Sequence, residues 1–463
     1  MNRSGSPIDV QQGLEKLAMY PHHVLTWVDE AGYPVSVAVV ATVDADGSSA
    51  TFGAPAGLSV PSDRDVSLTG SHIRPQPGYG YDERRHVTVW GRTSAAADGA
   101  TRLRGFHAWG WDEAEVPFFE YSERSVGQSR RYFDALSAER GTPVKPRLAA
   151  GWLALRATRL PFLSATIVPV LIGIAIAATH GFFDPLTAVL TIIGASLVQL
   201  GLNVANDVFD ASLGADDANV TPTQFSGGSR VIQYGLLSRG QMATLAIAFY
   251  LAAAAIGLVL LGLRGSTALL VIGVLGFIVS IGYTAPPLKL VYRGLGEIAV
   301  ALGFGPLMLV GAYVVQSRGA LAWEPFVASI PVALLVALIL YVNEIPDRRG
   351  DARAGKRTLP VRLSPAAVIR GYEAAVVLAY ASIVAGFGLG VLPLPALAVL
   401  LTIPLAREVR QGLRPNYDNP YGLMAVMGRN IKVHAYAGLL LLAAYAVVLV
   451  AQALAPSIDL FLG

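Results

Sequence analysis

The chain has 463 residues, of which 53% are apolar and only 14% charged, a balance that a soluble globule of this size could not keep in solution. Its net charge of +3 is not gathered into a basic face or tail, which argues against nucleic acid as a partner. The absence of cysteine excludes disulfides, thiolate nucleophiles, iron–sulfur clusters and cysteine-based zinc sites.

The charge is unevenly placed. Residues 1 to about 150 carry acids, arginines and histidines at ordinary soluble density, whereas the remainder shows long apolar runs broken by short polar clusters. Two domains in different solvents follow, 1–146 soluble and 147–463 in the membrane. The opening MNRSGSPIDVQQGLEKLAMY has no apolar h-region, so no cleaved secretory signal is expected and the first membrane helix must act as the insertion signal.

In the first domain HVLTWVDEAGYPVSVAVVATV reads as a hairpin, with the turn signal Asp29-Glu30-Ala31-Gly32 between two apolar stretches. Further strand-like runs at SSATFGA, DVSLTG and RRHVTVWGRTSAA, then a polar helical segment near 127–140, predict a small soluble β-barrel with a peripheral helix. GTPVKPRL reads as the linker. The pair His22-His23 and His107 lack a fixed ligand set and read as surface or packing residues rather than metal ligands.

From about residue 160 the apolar stretches are long enough to cross a hydrocarbon core, which takes roughly 20 helical residues each. They fall near 161–179, 184–206, 242–262, 267–283, 296–316, 326–343, 367–390, 391–406 and 433–454, which predicts an all-α polytopic bundle of about nine transmembrane helices. The weakest division is between the seventh and eighth, where only GLGVLPLP intervenes. Loops after the even-numbered spans hold 16 Lys and Arg residues, against Arg264 and Arg318 alone on the other side. That asymmetry places the even-numbered loops and the N-terminal domain in the cytoplasm, for a multi-pass protein of the plasma membrane.

At the end of the second span LNVANDVFDASLGADD puts Asn203, Asn206, Asp207 and Asp210 on successive turns of one helix face. At the end of the sixth, YVNEIPDRRGDARAGKRT repeats Asn343, Asp347 and Asp351 every four residues, with Pro346 expected to distort the helix. Carboxylates at membrane depth are costly, and a bound cation compensates them. Magnesium prefers oxygen ligands and bridges carboxylates to substrate phosphates, so two facing clusters suit Mg2+ and a diphosphate. Arg230 in FSGGSR, Lys289 and Arg293 after the fourth span, and Lys356 with Arg357 in AGKRT are candidate phosphate-binding cations, or else ordinary cytoplasmic anchors. Tyr283, ahead of Pro286-Pro287 in IGYTAPPLKLVYRGLGE, reads either as a wall of the site where a helix breaks or as an interfacial tyrosine at a plain helix stop.

The paired clusters NDVFD and DRRGD, joined by YTAPPLKLVYRGLGE, resemble the UbiA superfamily of intramembrane prenyltransferases over roughly residues 150 to 455. The family pattern NDxxDxxxD is met at Asn206, Asp207 and Asp210, but position 214 is Gly, with Asp216 or Asp217 as substitutes; DxxxD is met by Asp347 and Asp351. NDVFDASLGAD, SGGSRVIQ and GKRTLPVRL are most similar to the branch acting on 1,4-dihydroxy-2-naphthoate in menaquinone biosynthesis. The resemblance implies magnesium on Asn206, Asp210, Asp347 and Asp351, an all-trans polyprenyl diphosphate as donor, and a central cavity opening to the lipid bilayer. It leaves open another aromatic acceptor, a porphyrin-type ring or a glycerol phosphate lipid. The N-terminal domain is similar to the split barrels of the pyridoxamine 5'-phosphate oxidase-like class, through VLTWVDEAGYPVSVAVV and RRHVTVWGRTS. That likeness implies FMN or deazaflavin binding and a capacity to dimerise, or equally a barrel that has lost its cofactor and serves packing or regulation. The rival from another class is a secondary transporter, which would place its acids at the membrane midplane and show an inverted repeat.

Overall fold

The computed structural model describes residues 6–29, 34–54, 57–76, 80–96, 99–144, 148–455, 457 and 460–462. The chain divides into two compact units, Met1–Tyr132 and Phe133–Gly463. The division lies ahead of the boundary expected at 146, and residues 145–147 of the expected linker are outside the described residues.

The first unit holds eight strands: β1 Ser6–Ile8, β2 His23–Val28, β3 Pro34–Val39, β4 Ala41–Val43, β5 Ser49–Phe52, β6 Asp65–Gln76, β7 Gly80–Ala95 and β8 Thr101–Asp112. All pairings are antiparallel, in the order β3-β2-β6-β7-β8-β5-β4, with β1 added to β8. The two ends of that order, β3 and β4, are consecutive in the chain with only Val40 between them, so the sheet curls back on itself as a half-barrel. Alternation sets the inner face: Leu25 and Trp27 of β2 are buried while Val24 and Val28 are exposed. Helix α1, Val10–Leu17, sends Leu14 and Leu17 into the same core, beside Phe52, Leu68, Val87, Val89 and Leu103. The expected hairpin pairs His23 with Val39 and Val28 with Pro34; residues 30–32 of its turn lie outside the described residues. His23 is a packing residue, its Nε2 2.9 Å from the Leu17 carbonyl and its Nδ1 accepting the Ala41 N–H. The expected polar helix is α2, Phe118–Arg140, which carries the chain into the second unit.

The second unit is helical: α3 Ala150–Thr158, a 3₁₀ turn Leu160–Leu163, α4 Ser164–Thr179, α5 Pro185–Leu213, α6 Ala215–Ala218, α7 Arg239–Arg264, α8 Thr267–Gly282, α9 Gly296–Leu302, a π turn Gly303–Leu307, α10 Met308–Gln316, α11 Trp323–Arg353, α12 Leu359–Arg362, α13 Pro365–Gly388, a 3₁₀ segment Leu394–Thr402, α14 Ile403–Asn416 and α15 Pro420–Leu454. Among the described residues seven helices are long and apolar enough to cross a membrane, and they match seven of the nine expected spans. The fourth and eighth fall short. Helix α8 has 16 residues and stops ahead of Pro286-Pro287, whose rings cannot continue it. The eighth opens at Pro393 and Pro395 as the 3₁₀ segment before α14 takes over. Pro346, expected to distort the sixth span, sits inside an α11 that runs on to Arg353. Multi-pass membrane architecture follows, with exposed Ile247, Leu251, Leu258 and Val259 on α7 as side chains suited to lipid.

Candidate active site

Glycine ends α5. Gly214 takes the left-handed conformation at φ +79, where an L side chain is strained, and turns the chain into α6. This turn brings Asp216 back beside Asp210, so the residue standing where a last acid was expected at 214 is displaced by two positions. Asp216 is buried and lines the cavity, whereas Asp217 is exposed. Burial first, then the neighbouring Asp210 and Asp207, push the Asp216 carboxyl well above the ordinary range.

The ends of α5 and α11, the segment after α8 and the loop following α6 enclose one cavity of about 160 Å³. Its wall includes Asn203, Asn206, Asp210, Asp216, Tyr283, Asn343, Asp347, Asp351 and Lys356, nine of the residues singled out in the sequence. Lys356 stands between the two acidic clusters, its Nζ 3.0 Å from Asp210 Oδ2 and 3.8 Å from Asp351 Oδ1. Burial alone would lower its pKa, but those carboxylates hold it well above the ordinary lysine value. Asp210 also accepts from Asn206 Nδ2 and from the Tyr292 hydroxyl, each at 2.8 Å. Burial, then Asp210, raise the pKa of that phenol.

Two acids grip the glycine-rich loop. Asp347 Oδ2 accepts the Gly227 N–H at 2.8 Å and its Oδ1 accepts Asn219 Nδ2 at the same distance. Asp207 Oδ2 accepts the Ser229 N–H at 3.1 Å, while its Oδ1 takes Arg159 Nη2 at 2.6 Å. Gly227 and Gly228, at φ +76 and +77, let the backbone pass between these anchors; a Cβ on Gly228 would stand 2.9 Å from Asp216 Oδ1.

Several expected residues do not line the cavity. Asp207 faces Arg159 because it lies about 100° round the helix from Asn206. Arg230 is buried behind the loop, donating to the Asp216 carbonyl. Lys289 lies over the Tyr292 ring, Arg293 donates to the Pro287 carbonyl, and Arg357 is exposed with its N–H on the Tyr292 carbonyl. Conversely, Arg159, Gln199, Asn219 and Glu344 line the cavity without having been anticipated. Glu344 lies within the segment YVNEIPDRRGDARAGKRT and Asn219 two residues beyond LNVANDVFDASLGADD, and only that proximity could have pointed to them.

The donor set suits a hard cation. Asp216 Oδ2, Asp351 Oδ2 and Asn343 Oδ1 are buried and accept no hydrogen bond. Yet among the described residues no three acidic or histidine side chains stand close enough to hold an ion by themselves. The expected metal set is therefore divided across the cavity rather than a finished cage.

A second, apolar cleft of about 190 Å³ shares Gln199, Leu202, Tyr283, Val300 and Phe304 with the polar cavity and continues between α5, α7, α8 and α10. In the first unit a separate cleft of about 390 Å³ is bordered by Lys16, Tyr20, Arg85, His86, Trp111, Asp112, Glu115 and Arg124. Burial pushes the His86 imidazole below its ordinary value there.

Residues 166–431 match the model of the UbiA prenyltransferase family. A 2-carboxy-1,4-naphthoquinone phytyltransferase from Synechocystis is 28% identical over 313 residues, 66% of this chain and 97% of that protein. A 1,4-dihydroxy-2-naphthoate octaprenyltransferase from Escherichia coli is 34% identical over 218 residues, 46% of this chain and 68% of that protein. Among solved structures, a UbiA homolog from Archaeoglobus fulgidus bound to GPP and Mg2+ aligns with a TM-score of 0.46 at 15% identity, covering 63% of this chain and 99% of the other. The match extends over more than half of the chain and over both acidic helix ends, and the protein is a member of the UbiA prenyltransferase family.

Proposed function

We propose that the protein transfers a polyprenyl group from polyprenyl diphosphate to 1,4-dihydroxy-2-naphthoate, with magnesium, in menaquinone biosynthesis. One observation carries the reading: the acidic ends of α5 and α11 face a single cavity, with buried oxygens on Asp216, Asp351 and Asn343 left without partners. The names of the Synechocystis and Escherichia coli relatives support the naphthoate acceptor. The excess of Lys and Arg on the even-numbered loops supports a cytoplasmic site in the plasma membrane.

In this scheme Asn206, Asp210, Asp347 and Asp351, with Asp216, would hold magnesium, which would supply positive charge against the phosphates. Lys356 adds a fixed positive charge where the diphosphate departs. Tyr283 and Phe304, at the junction of the polar cavity and the apolar cleft, keep water from the allylic carbon while the acceptor ring approaches. The apolar cleft takes the prenyl chain.

The test is direct. Purified full-length protein in lipid nanodiscs, given Mg2+ and labelled polyprenyl diphosphate, should form a prenylated naphthoquinol from dihydroxynaphthoate, identified by mass, and release diphosphate. A product formed only with another phenolic, porphyrin-type or glycerol phosphate acceptor would overturn the acceptor assignment. For the first unit FMN or a deazaflavin is the proposed ligand, supported by a cleft that sets Lys16, Arg85 and Arg124 beside Tyr20 and Trp111, with Asp112 and Glu115 on the same wall. Titration of the full chain with FMN and with a deazaflavin, read by fluorescence quenching, tests that; undiminished fluorescence of both counts against a flavin site.

A further inference from the structure

Residues 148–155, LAAGWLAL, run into and along α3 with the Trp152 indole as their only polar side chain. Leu148, Trp152 and Leu155 recur every three or four residues and so share one helix face, where they are 41, 44 and 45% exposed. The opposite face is packed: Ala157 is buried with Val204 of α5, Met242 and Ala246 of α7 and Val231 of the loop after α6, and Leu153 lies against the same cluster. An exposed stripe of large apolar side chains marks a surface that something covers in the working protein.

The position of α3 in the chain and in the bundle says what covers it. The first span opens at Leu160, and Arg159, between it and α3, takes the left-handed conformation at φ +52, so the chain turns out of α3 straight into the membrane. Val204 stands two residues ahead of Asn206, and Met242 is in the first turn of α7. Helix α3 therefore sits at the level of the acidic helix ends, where hydrocarbon gives way to headgroups, and a tryptophan with an arginine one position from its neighbours suits that boundary. Farther along α7, exposed Ile247 and Leu251 continue the apolar surface into the bilayer.

The same helix holds the glycine-rich loop. Arg156 Nε donates to the Ser229 carbonyl at 2.9 Å, and its guanidinium lies 5.5 Å from the Trp152 ring and 5.2 Å from that of Tyr234. The N–H of Ser229 goes to Asp207 of α5, so both sides of this buried residue are fixed, one by α3 and one by the second span. Immediately before it Ser226, Gly227 and Gly228 border the active cavity.

We infer that α3 is a membrane-surface helix whose Leu148, Trp152 and Leu155 lie among the acyl chains of the leaflet at the active-site end, and that this seat holds the glycine-rich loop against the cavity. Diphosphate affinity then depends on how α3 is seated in the bilayer. That consequence rests on the diphosphate reading proposed above; the seat itself does not.

The chain has no cysteine, so a nitroxide attached to Leu155→Cys reports from that position alone. In the full-length protein in lipid nanodiscs the label should meet oxygen, which concentrates in hydrocarbon, far more often than a water-soluble nickel chelate, at a depth of about 5–10 Å. A label open to the chelate, or shielded from both reagents as under a protein partner, overturns the seat. Adding Leu148→Ser and Trp152→Ser should bring the label into water and weaken binding of a non-reactive prenyl thiolodiphosphate by about 10-fold, whereas Leu148→Met with Trp152→Phe should keep both depth and affinity. Arg156→Gln separates seat from loop: the label should stay at its depth while binding again falls by about 10-fold. Undiminished binding in Arg156→Gln overturns the coupling, and because its seat is intact this variant decides even if the serine variant unfolds. If the wild-type protein binds no prenyl diphosphate, the proposed function fails, and the depth of the label still decides the seat.

Discussion

Asp207 belongs to the first acidic motif but is turned away from Asp210, held by Arg159 Nη2 at 2.6 Å and by the Ser229 N–H at 3.1 Å. The pair joins α5 to the left-handed residue that links α3 to the first span and to the glycine-rich loop. Asp207→Ala leaves the Arg159 charge without its partner, and breaking such a buried pair costs about 3 kcal/mol. We expect a drop in thermal unfolding temperature in detergent together with weaker diphosphate binding. An unchanged unfolding temperature would show that Arg159 finds other compensation.

Asp210 and Asp351 should act on the transfer itself. Each faces the cavity and touches Lys356, and Asp351 leaves one oxygen free. Asp210→Asn and Asp351→Asn are each expected to lower transfer by about 100-fold or more. Unfolding should stay near the wild-type temperature in Asp351→Asn, because Asp210 still pairs with Lys356 at 3.0 Å, whereas Asp210→Asn removes that buried pair and should lower the unfolding temperature too. Transfer near the wild-type rate in both variants would remove these residues from the chemistry.

Chelation gives a simpler reading. EDTA should stop transfer and Mg2+ should restore it. Because no finished cage exists among the described residues, Mg2+ affinity should rise by at least about 10-fold when prenyl diphosphate is present. Calorimetry with each ligand alone and together checks this coupling, and independent binding of the two would contradict it.

Gly228→Ala introduces a methyl 2.9 Å from Asp216 Oδ1 at a residue whose φ is +77. The left-handed conformation alone costs an alanine about 1–2 kcal/mol. The variant should bind prenyl diphosphate at least about 10-fold more weakly than wild type by isothermal titration.

Gly276 lines the apolar cleft, and a Cβ added there meets nothing within 4 Å. Gly276→Phe should therefore be tolerated by the fold and fill the cleft. kcat/KM for a long prenyl donor is expected to fall by about 10-fold or more, with a ten-carbon donor affected less than about twofold. Equal losses for both donors would place the chain elsewhere.

The helix ends were legible because carboxylates recurring every three or four residues at the close of apolar runs are too costly to stand there uncompensated. Asn206, Asp210, Asp347 and Asp351 accordingly line one cavity. Direction around the helix was less legible: Asp207 follows Asn206 immediately, yet its partner Arg159 is 48 residues distant in the chain, and no local spacing announces such a contact. The cations were the weakest part, since Lys356 and Arg357 are adjacent and chemically alike, but only Lys356 turns inward. Glu344 escaped notice for the converse reason, as a lone acid between Asn343 and Asp347 with no repeat of its own. In the first unit the alternating runs announced β2, β3, β5, β6 and β7, whereas FHAWGWDE drew attention only for its histidine although it completes β8.

Helix α7 buries only 17% of its apolar stretch yet contributes Ala253, Ile256, Gly257 and Leu260 to the cleft beside Tyr283. With the prenyl chain in that cleft, as proposed, one side of its path would be a thin partition with hydrocarbon beyond it. A greasy donor and its still greasier product would then arrive and depart sideways, by diffusion in two dimensions. Throughput would follow the fluidity and composition of the surrounding bilayer as much as the chemistry inside.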